Sequence, residues 1–462
     1  MQETIVCHSP IDGHVVAERP IASEAAIELA LQNARSAQEI WKSVSLAERA
    51  TMCSAIVDAM LAMRDDIVPE LTQQMGRPVR YGLGELRGFE ERARHMIESA
   101  DVSLAPRVIE SPDGLQRSIE RTPIGLLFVI APWNYPYLTA VNSVIPALMA
   151  GNAVILKHAP QTILVGERFQ KACDDAGLPQ GLFTNLVLTH EQADQLISDG
   201  AVDRVHFTGS VASGRVVEEA AGGALVGVGL ELGGKDPAYV RADADLPFTA
   251  EQLVDGAYFN SGQSCCAVER IYVDESVFHE FVERFTALTN QYVLGDPMHP
   301  DTTLGPMISA TAAHYVRRQI ADAVASGAEA LIDLSAFSAD TLDSSFMAPQ
   351  VLISVNHSMS VMRDESFGPV VGIMSVKSDQ EAIELMNDSD FGLTASIWTK
   401  DTTTGKHIAN QVQAGTVFVN RCDYLDPALA WAGVKNSGRG ATLSEIGYQH
   451  LTQPKSFYLR ST

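Results

Sequence analysis

Cysteine is scarce in this chain: Cys7, Cys53, Cys173, Cys265, Cys266 and Cys422 are all there is in 462 residues. No two stand as Cys-x-x-Cys, which excludes a disulfide framework and the usual zinc modules, and the chain reads as reduced and cytoplasmic. Long hydrophobic runs are missing as well. The longest, GLLFVIAPW and GNAVILK, are strand-sized and too short to span a bilayer. The opening MQETIVCHSPIDG has no basic stretch followed by an apolar one, so no signal peptide is expected. Positive charge is in deficit, with 33 Lys and Arg against 57 Asp and Glu and a formal charge of −24. That balance excludes a nucleic-acid binder of the phosphate-backbone kind. No flexible linker, internal repeat or low-complexity segment interrupts the chain. No His/Asp/Glu cluster has metal-ligand spacing, so no metal is expected.

What is present is an ordinary globular composition, 46% hydrophobic and 19% charged. The length exceeds what one core supports, so two or three domains are expected. Residues 21–100 show helical periodicity through EAAIELALQNARSAQEIWKS, AERATMCSAIVDAMLAMRDDIV and ELRGFEERARHMIESADV. From Gly125 the pattern becomes strand, turn and helix in alternation: GLLFVIAP, a helix through VNSVIPALMAG, NAVILK, a helix through LVGERFQKACDDAG, then GLFTNLVL and RVHFTGS. Such alternation indicates βαβ units and a parallel sheet. A second series runs from about Arg270 to Asn420, with strands at RIYVD, PVVGIMSV, LTASIWT and TVFVN, and forms a second α/β domain. VIESPDGLQRSIER reads as a projecting hairpin, and HLTQPKSFYLR alternates in the same way. Both suit edge strands or an interface between subunits.

Four stretches carry chemistry. APWNYP places Asn134 after an apolar strand, where its amide can point into a cleft. HFTGSVASG ends a strand at Thr-Gly-Ser and starts a helix, a setting whose backbone N–H groups suit a pyrophosphate. In GLELGGKDP, Glu231 lies between Leu230 and Leu232, and desolvation there raises a carboxyl toward the working range of a general base. FNSGQSCCAVER sets two thiols side by side after Gly-Gln-Ser, near a helix start able to favour a thiolate. Each stretch alone also has a plain structural explanation.

Together they decide. APWNYP, FTGS, ELGGKDP and GQSC, followed by RDESFGPV, FVN and GVKNSGRG, in this order and across nearly the whole chain, resemble the aldehyde dehydrogenase superfamily. The resemblance implies an α/β fold with a Rossmann-like cofactor domain, an α/β catalytic domain and a small β oligomerisation element. On this sequence they fall at 1–102 with 122–234, at 235–449, and at 103–121 with 450–462. The Gly-Gln-any-Cys pattern picks Cys265 rather than Cys266 as nucleophile. Asn134 and the Cys265 N–H become oxyanion donors and Glu231 the base that activates water. Because relatives that acylate coenzyme A generally lack this glutamate, its presence favours hydrolysis to a carboxylic acid.

The same resemblance carries over the cofactor contacts: Trp133, Lys157, Gly209, Ser210, Glu365 and Phe367. In the family a glutamate commonly follows Lys157 by three residues and grips the ribose of NAD. Here Lys157-His158-Ala159-Pro160 stands instead, so NAD and NADP are both expected as cofactors. His158 itself is read as a loop histidine. The substrate pocket falls to Tyr135, Leu138, Thr139, Asn142, Phe259, Asp423 and Trp431. Succinate-semialdehyde dehydrogenases, which the chain distantly resembles, commonly carry arginine where Asn142 and Phe259 stand. That departure and the aromatic lining point to an apolar or aromatic aldehyde, with a succinate-semialdehyde-type or coenzyme-A-acylating enzyme as the alternative. Thr442 replaces a glutamate thought to help relay protons. A homodimer or homotetramer is expected, with no membrane or nucleic-acid partner.

Overall fold

The computed structural model describes residues 3–461; Met1, Gln2 and Thr462, at the ends of two of the expected spans, lie outside it. A hairpin of Thr4–His8 and Val15–Pro20, not anticipated from the sequence, comes first. Four helices follow: Glu24–Trp41, Leu46–Ala62, Arg64–Met75 and Gly82–Ser103. Their ends are written locally. Ser45 and Glu48 form a reciprocal capping box at the start of the second. Gly76, at φ 81°, stops the third in the left-handed conformation that only glycine takes freely.

The first large sheet has six strands in the order Gly438–Arg439, Gly227–Glu231, Arg204–Thr208, Leu126–Ile130, Ala153–Lys157 and Phe183–Asn185. All pair in parallel except Gly438–Arg439. Ala153–Lys157 is buried at every position, as its unbroken apolar run requires. The chain enters the sheet at Leu126–Ile130 and builds outward first on one side, then on the other. Ligands in such sheets bind beyond the carboxyl ends of the strands at this reversal. Trp133 and Asn134 leave one of the two strands at that point, and Gly209 and Ser210 leave the other.

The second sheet has seven strands, ordered Glu329–Ala330, Gln350–Ile353, Val370–Val376, Val268–Asp274, Asp236–Val240, Thr394–Trp398 and Thr416–Val419. Only Glu329–Ala330 runs antiparallel. Its two faces carry separate cores, one around Tyr258, Phe281 and Trp398 and the other around Tyr239, Met362 and Ile397. A third, three-stranded sheet pairs the tail Thr452–Arg460 with Leu115–Pro123 along nine residues, and Arg107–Ile109 completes it.

Two sequence expectations need adjustment. GLFTNLVL keeps only Phe183–Asn185 as strand, at the sheet edge, where pairing is one-sided. The span 235–449 overreaches at its end: Gly438–Arg439 joins the first sheet, and Trp431, Leu443 and Tyr448 pack in the first core. The reason is hydrophobic burial of those three side chains against the helical layer, where the Tyr448 hydroxyl also donates to the Met96 carbonyl.

One buried ion pair fixes a loop of the second sheet. Lys235 Nζ donates to Glu269 at 2.5 Å, and Glu269 also accepts from the backbone N–H groups of Ser366 and Phe367, each at 2.8 Å. Both side chains are almost fully inaccessible. Removing one partner strands the other charge in a low-dielectric interior. Glu269→Ala is therefore expected to lower the unfolding free energy by about 3–5 kcal/mol, read as a fall in the denaturant midpoint.

Candidate active site

A cavity of about 850 Å³ opens between the two large sheets. It is lined by Asn134, Glu231 and Cys265 and, toward the first sheet's strand ends, by Trp133, Gly209 and Ser210. Glu365 and Phe367 close it from the second sheet. Tyr135, Leu138, Thr139, Asn142, Phe259, Asp423 and Trp431 all line it too. Of the catalytic, cofactor and pocket residues that the resemblance assigned, only Lys157 lies outside this lining.

The six thiols sort themselves by environment. Burial pushes Cys7 up to about 11 and Cys53 up to about 12, and raises Cys173 and Cys422 as well. Cys266 is raised by its contact with the Cys265 thiol and by burial, and its Sγ donates to Asp423 Oδ1 at 3.0 Å. Cys265 alone combines partial exposure with a place on the cavity wall. Its loop is shaped by three unusual steps: Asn260 and Ser261 are left-handed at φ 55° and 58°, and Gly262 follows at 69°. Gln263 then pins the turn, accepting from the Ile308 N–H at 2.7 Å and donating to the Asn260 carbonyl at 3.1 Å. A Cβ on Gly234 would collide with the Cys265 carbonyl oxygen, so Gly-Gly before Lys235 is a packing requirement. The Cys265 N–H donates to no described backbone or side-chain atom.

Asn134 is held by a buried network. Its Nδ2 donates to the Gln263 carbonyl at 3.1 Å, leaving a second N–H. Its own carbonyl accepts from Arg77 Nη2 at 2.5 Å and from Asn260 Nδ2 at 3.3 Å. Arg77 also donates to Asn260 Oδ1 at 3.1 Å and forms a fully buried ion pair with Glu85. Glu85 in turn accepts from the N–H groups of Tyr137 and Leu138, at 2.9 and 3.1 Å, in the first turn of the Pro136–Met149 helix. A carboxylate suits that end of a helix dipole.

Glu231 ends the strand Gly227–Glu231, opposite Gly438. Burial raises its pKa, and a hydroxyl bond from Thr442, the charge of Arg92 and a bond from Thr208 pull against that rise. Thr442 thus takes up the carboxylate directly.

The strand ends of the first sheet fit a dinucleotide. Lys157 is 3% exposed, burial lowers it to about 8, and no described atom accepts from its ammonium. Such an orphaned cation suits ribose hydroxyls. Ser210 caps the Val211–Ala224 helix by accepting from the Ser213 N–H, and the N–H groups of Val211 and Ala212 are left for an anion. Glu365 accepts from the Gly234 N–H at 2.9 Å, while burial and the neighbouring Glu269 push it up to about 8. A carboxyl near neutrality can both donate to and accept from a ribose diol. Trp133 and Phe367 meet edge to face at 5.7 Å beside it. His158 is lowered to about 4 by burial and hydrogen-bonds the Ala159 N–H, Thr162 and the Pro136 carbonyl, which makes it a structural residue. Among the described residues, no group of three or more His, Cys, Asp or Glu could hold a metal ion, and no helix is long and apolar enough to cross a membrane.

Among the lining residues that the sequence reading did not single out is Arg92, buried on the Gly82–Ser103 helix, with Nη1 donating to Asn142 Oδ1 at 3.4 Å. Its signal was available, since it stands one heptad after Glu85 on a stripe otherwise built of Leu86, Phe89, Ala93 and Met96. It adds a cation to a pocket wall for which the sequence named aromatic residues and Asp423.

The chain was compared with known proteins. The model of the aldehyde dehydrogenase family matches residues 1–457. A succinate semialdehyde dehydrogenase of Escherichia coli, described as using NAD(P)+, is 33% identical over 441 residues, 95% of this chain and 94% of that protein. The 4,4'-diapolycopene aldehyde oxidase of a Methylomonas species is 35% identical over 465 residues, 98% of this chain and 85% of that protein. Among solved structures, an NADP-dependent glyceraldehyde-3-phosphate dehydrogenase from Bacillus halodurans, complexed with NADP, superposes with a TM-score of 0.93 at 32% identity, covering 99% of this chain and 96% of that one. The chain is an NAD(P)-dependent oxidoreductase acting on aldehydes, and it belongs to the aldehyde dehydrogenase family.

Proposed function

We propose that the chain oxidises its aldehyde to the carboxylic acid through a covalent intermediate on Cys265, with Asn134 as oxyanion donor and Glu231 as hydrolytic base. The observation that supports this most is the placement of Cys265: among the cysteines it alone is partly exposed on the cavity wall, which it shares with an uncommitted amide N–H and the Glu231 carboxyl. Cys265 Sγ, as thiolate, bonds to the carbonyl carbon and forms a thiohemiacetal. The second N–H of Asn134 Nδ2 and the Cys265 N–H stabilise the developing oxyanion, each such donor being worth about 3 kcal/mol. A bound nicotinamide supplies the acceptor for the hydride that the adduct gives up. Glu231 then takes a proton from the water that releases the acid from the Cys265 thioester.

Lys157, Ser210, Glu365 and Phe367 would hold the dinucleotide. Position 160, where a carboxylate would repel a 2′-phosphate, is Pro160 at the head of a short 3-10 turn. This favours acceptance of both NAD and NADP. The division into a cofactor sheet, a catalytic sheet and a small β element is part of the same proposal. So is a homodimer or homotetramer built on that β element, where the edge strand Thr452–Arg460 exposes Tyr458 and Leu459. The six free thiols suit a cytoplasmic setting.

Three measurements test the chemistry. Substoichiometric iodoacetamide should label Cys265 first and abolish activity in step, as peptide mass spectrometry would show; first labelling at Cys266 would reverse the assignment of the two thiols. Glu231→Gln should lower steady-state turnover by roughly 10²–10⁴-fold while sparing a single burst of reduced cofactor, and unchanged turnover would remove Glu231 as the base. Thr442→Val deletes a bond that holds the Glu231 carboxyl down. The base then ionises at higher pH, so the acid limb of the kcat–pH profile should move upward; a static limb would separate Thr442 from the base.

A further inference from the structure

The buried stripe of the Gly82–Ser103 helix contains two charged side chains, Glu85 and Arg92. Glu85 is fully engaged by Arg77 and by two helix N–H groups. Arg92 is not. It is 8% exposed, yet it has no carboxylate within ion-pair distance among the described residues. Nη1 donates to the Leu138 carbonyl at 2.9 Å and to Asn142 Oδ1 at 3.4 Å, while Nε and Nη2 donate to no described atom. A guanidinium keeps its charge and has five N–H groups to place, so a buried one with open donors is costly unless something else takes them.

Two neighbours share the deficit. Asn142 Nδ2 and Tyr135 Oη are buried and without any hydrogen-bond partner. All three side chains line the cavity that holds Cys265 and Glu231. Asp423, one of the carboxylates on the same cavity lining, already accepts from Ser264 Oγ and from Cys266 Sγ, both at 3.0 Å, and no lining carboxylate comes within ion-pair distance of Arg92 among the described residues. The wall therefore has open donors from two helices and asks for a ligand that only accepts.

We infer that Arg92, with Asn142 and Tyr135, forms an anion subsite inside the catalytic cavity, and that the aldehyde oxidised here carries a carboxylate at the end remote from its carbonyl. The inference rests on the chemistry proposed at Cys265 and adds the substrate class. A carboxylate is planar and acceptor-only; it can take Nε and Nη2 as a fork and still receive Asn142 or Tyr135. An alkyl tail would leave the guanidinium unpaired, and an ammonium tail would face donors with nothing to give them. The subsite takes no part in bond making and acts through binding.

The test measures kcat/KM of the full-length enzyme, with NAD and with NADP, for succinic and glutaric semialdehydes, butanal, pentanal and 4-aminobutanal. The carboxy aldehydes should exceed their neutral counterparts at least tenfold. Parity, or preference for the neutral or amino aldehydes, overturns the subsite and leaves the Cys265 chemistry standing; no turnover of any of the five overturns both. Arg92→Gln should cut the carboxy-over-neutral ratio at least tenfold, mainly through KM, with Arg92→Lys recovering part of it. A helix-stapling role would lower activity on both substrate types together and leave the ratio where it was, which would overturn the inference. Should Arg92→Gln fail to fold, Asn142→Leu reads the same ratio, expected to fall at least threefold, and an unchanged ratio there has the same meaning.

Discussion

The active site depends on one buried cation. Arg77 follows the glycine that stops the third helix, and its guanidinium reaches three other segments: Glu85 on the next helix, the Asn134 carbonyl, and Asn260 in the loop that leads to Cys265. Through Glu85 it also fixes the first turn of the helix behind Asn134. Asn134 follows a strand of the first sheet and Cys265 precedes a strand of the second, and this hub ties the two segments together. The interior setting of the Arg77–Glu85 pair also makes it unforgiving, because loss of either partner leaves a charge with no solvent to retreat to.

A second theme is the use of burial to shift ionisation toward neutrality. In a chain with a formal charge of −24, burial moves several groups in and beside the cavity away from their ordinary ionisation. Glu231 and Asp423 are raised mainly by desolvation, Glu365 is pushed up to about 8, and Lys157 is lowered to about 8. Pairs of groups moved together in this way are typical of sites that handle protons and bind charged ligands. Cys266 belongs to the same pattern: its contact with the Cys265 thiol and its burial raise its pKa, and its Sγ donates to Asp423, which fits the proposal that the adjacent thiol is the nucleophile.

Much of this was legible in the sequence because it is local. Strand and helix alternation follows from apolar runs and periodicity, and the family resemblance rests on short patterns around turns. Other features depend on contacts far apart in the chain. Arg92 stands on the apolar stripe of its helix, but what it meets there, the Leu138 carbonyl and Asn142 of the Pro136–Met149 helix, is set by that distant contact. The hairpin Thr4–His8 with Val15–Pro20 carries too few apolar residues to announce itself. Gly438–Arg439 is two residues long, below any periodicity, and pairs with a strand about two hundred positions earlier, so no pattern reading assigns it to the first sheet. Phe183–Asn185 is shorter than its apolar run because an edge position gives pairing on one side only.

That late strand has a bearing on biosynthesis. Residue 438 flanks Glu231, Thr442 grips its carboxyl, and Tyr448 and Leu451 complete the core beneath the first sheet. A nascent polypeptide can present its early helices and most of its strands before these residues emerge, yet Glu231 stays unflanked and without its Thr442 bond until they do. A product cut short before residue 438 would lack the setting in which that carboxyl is held.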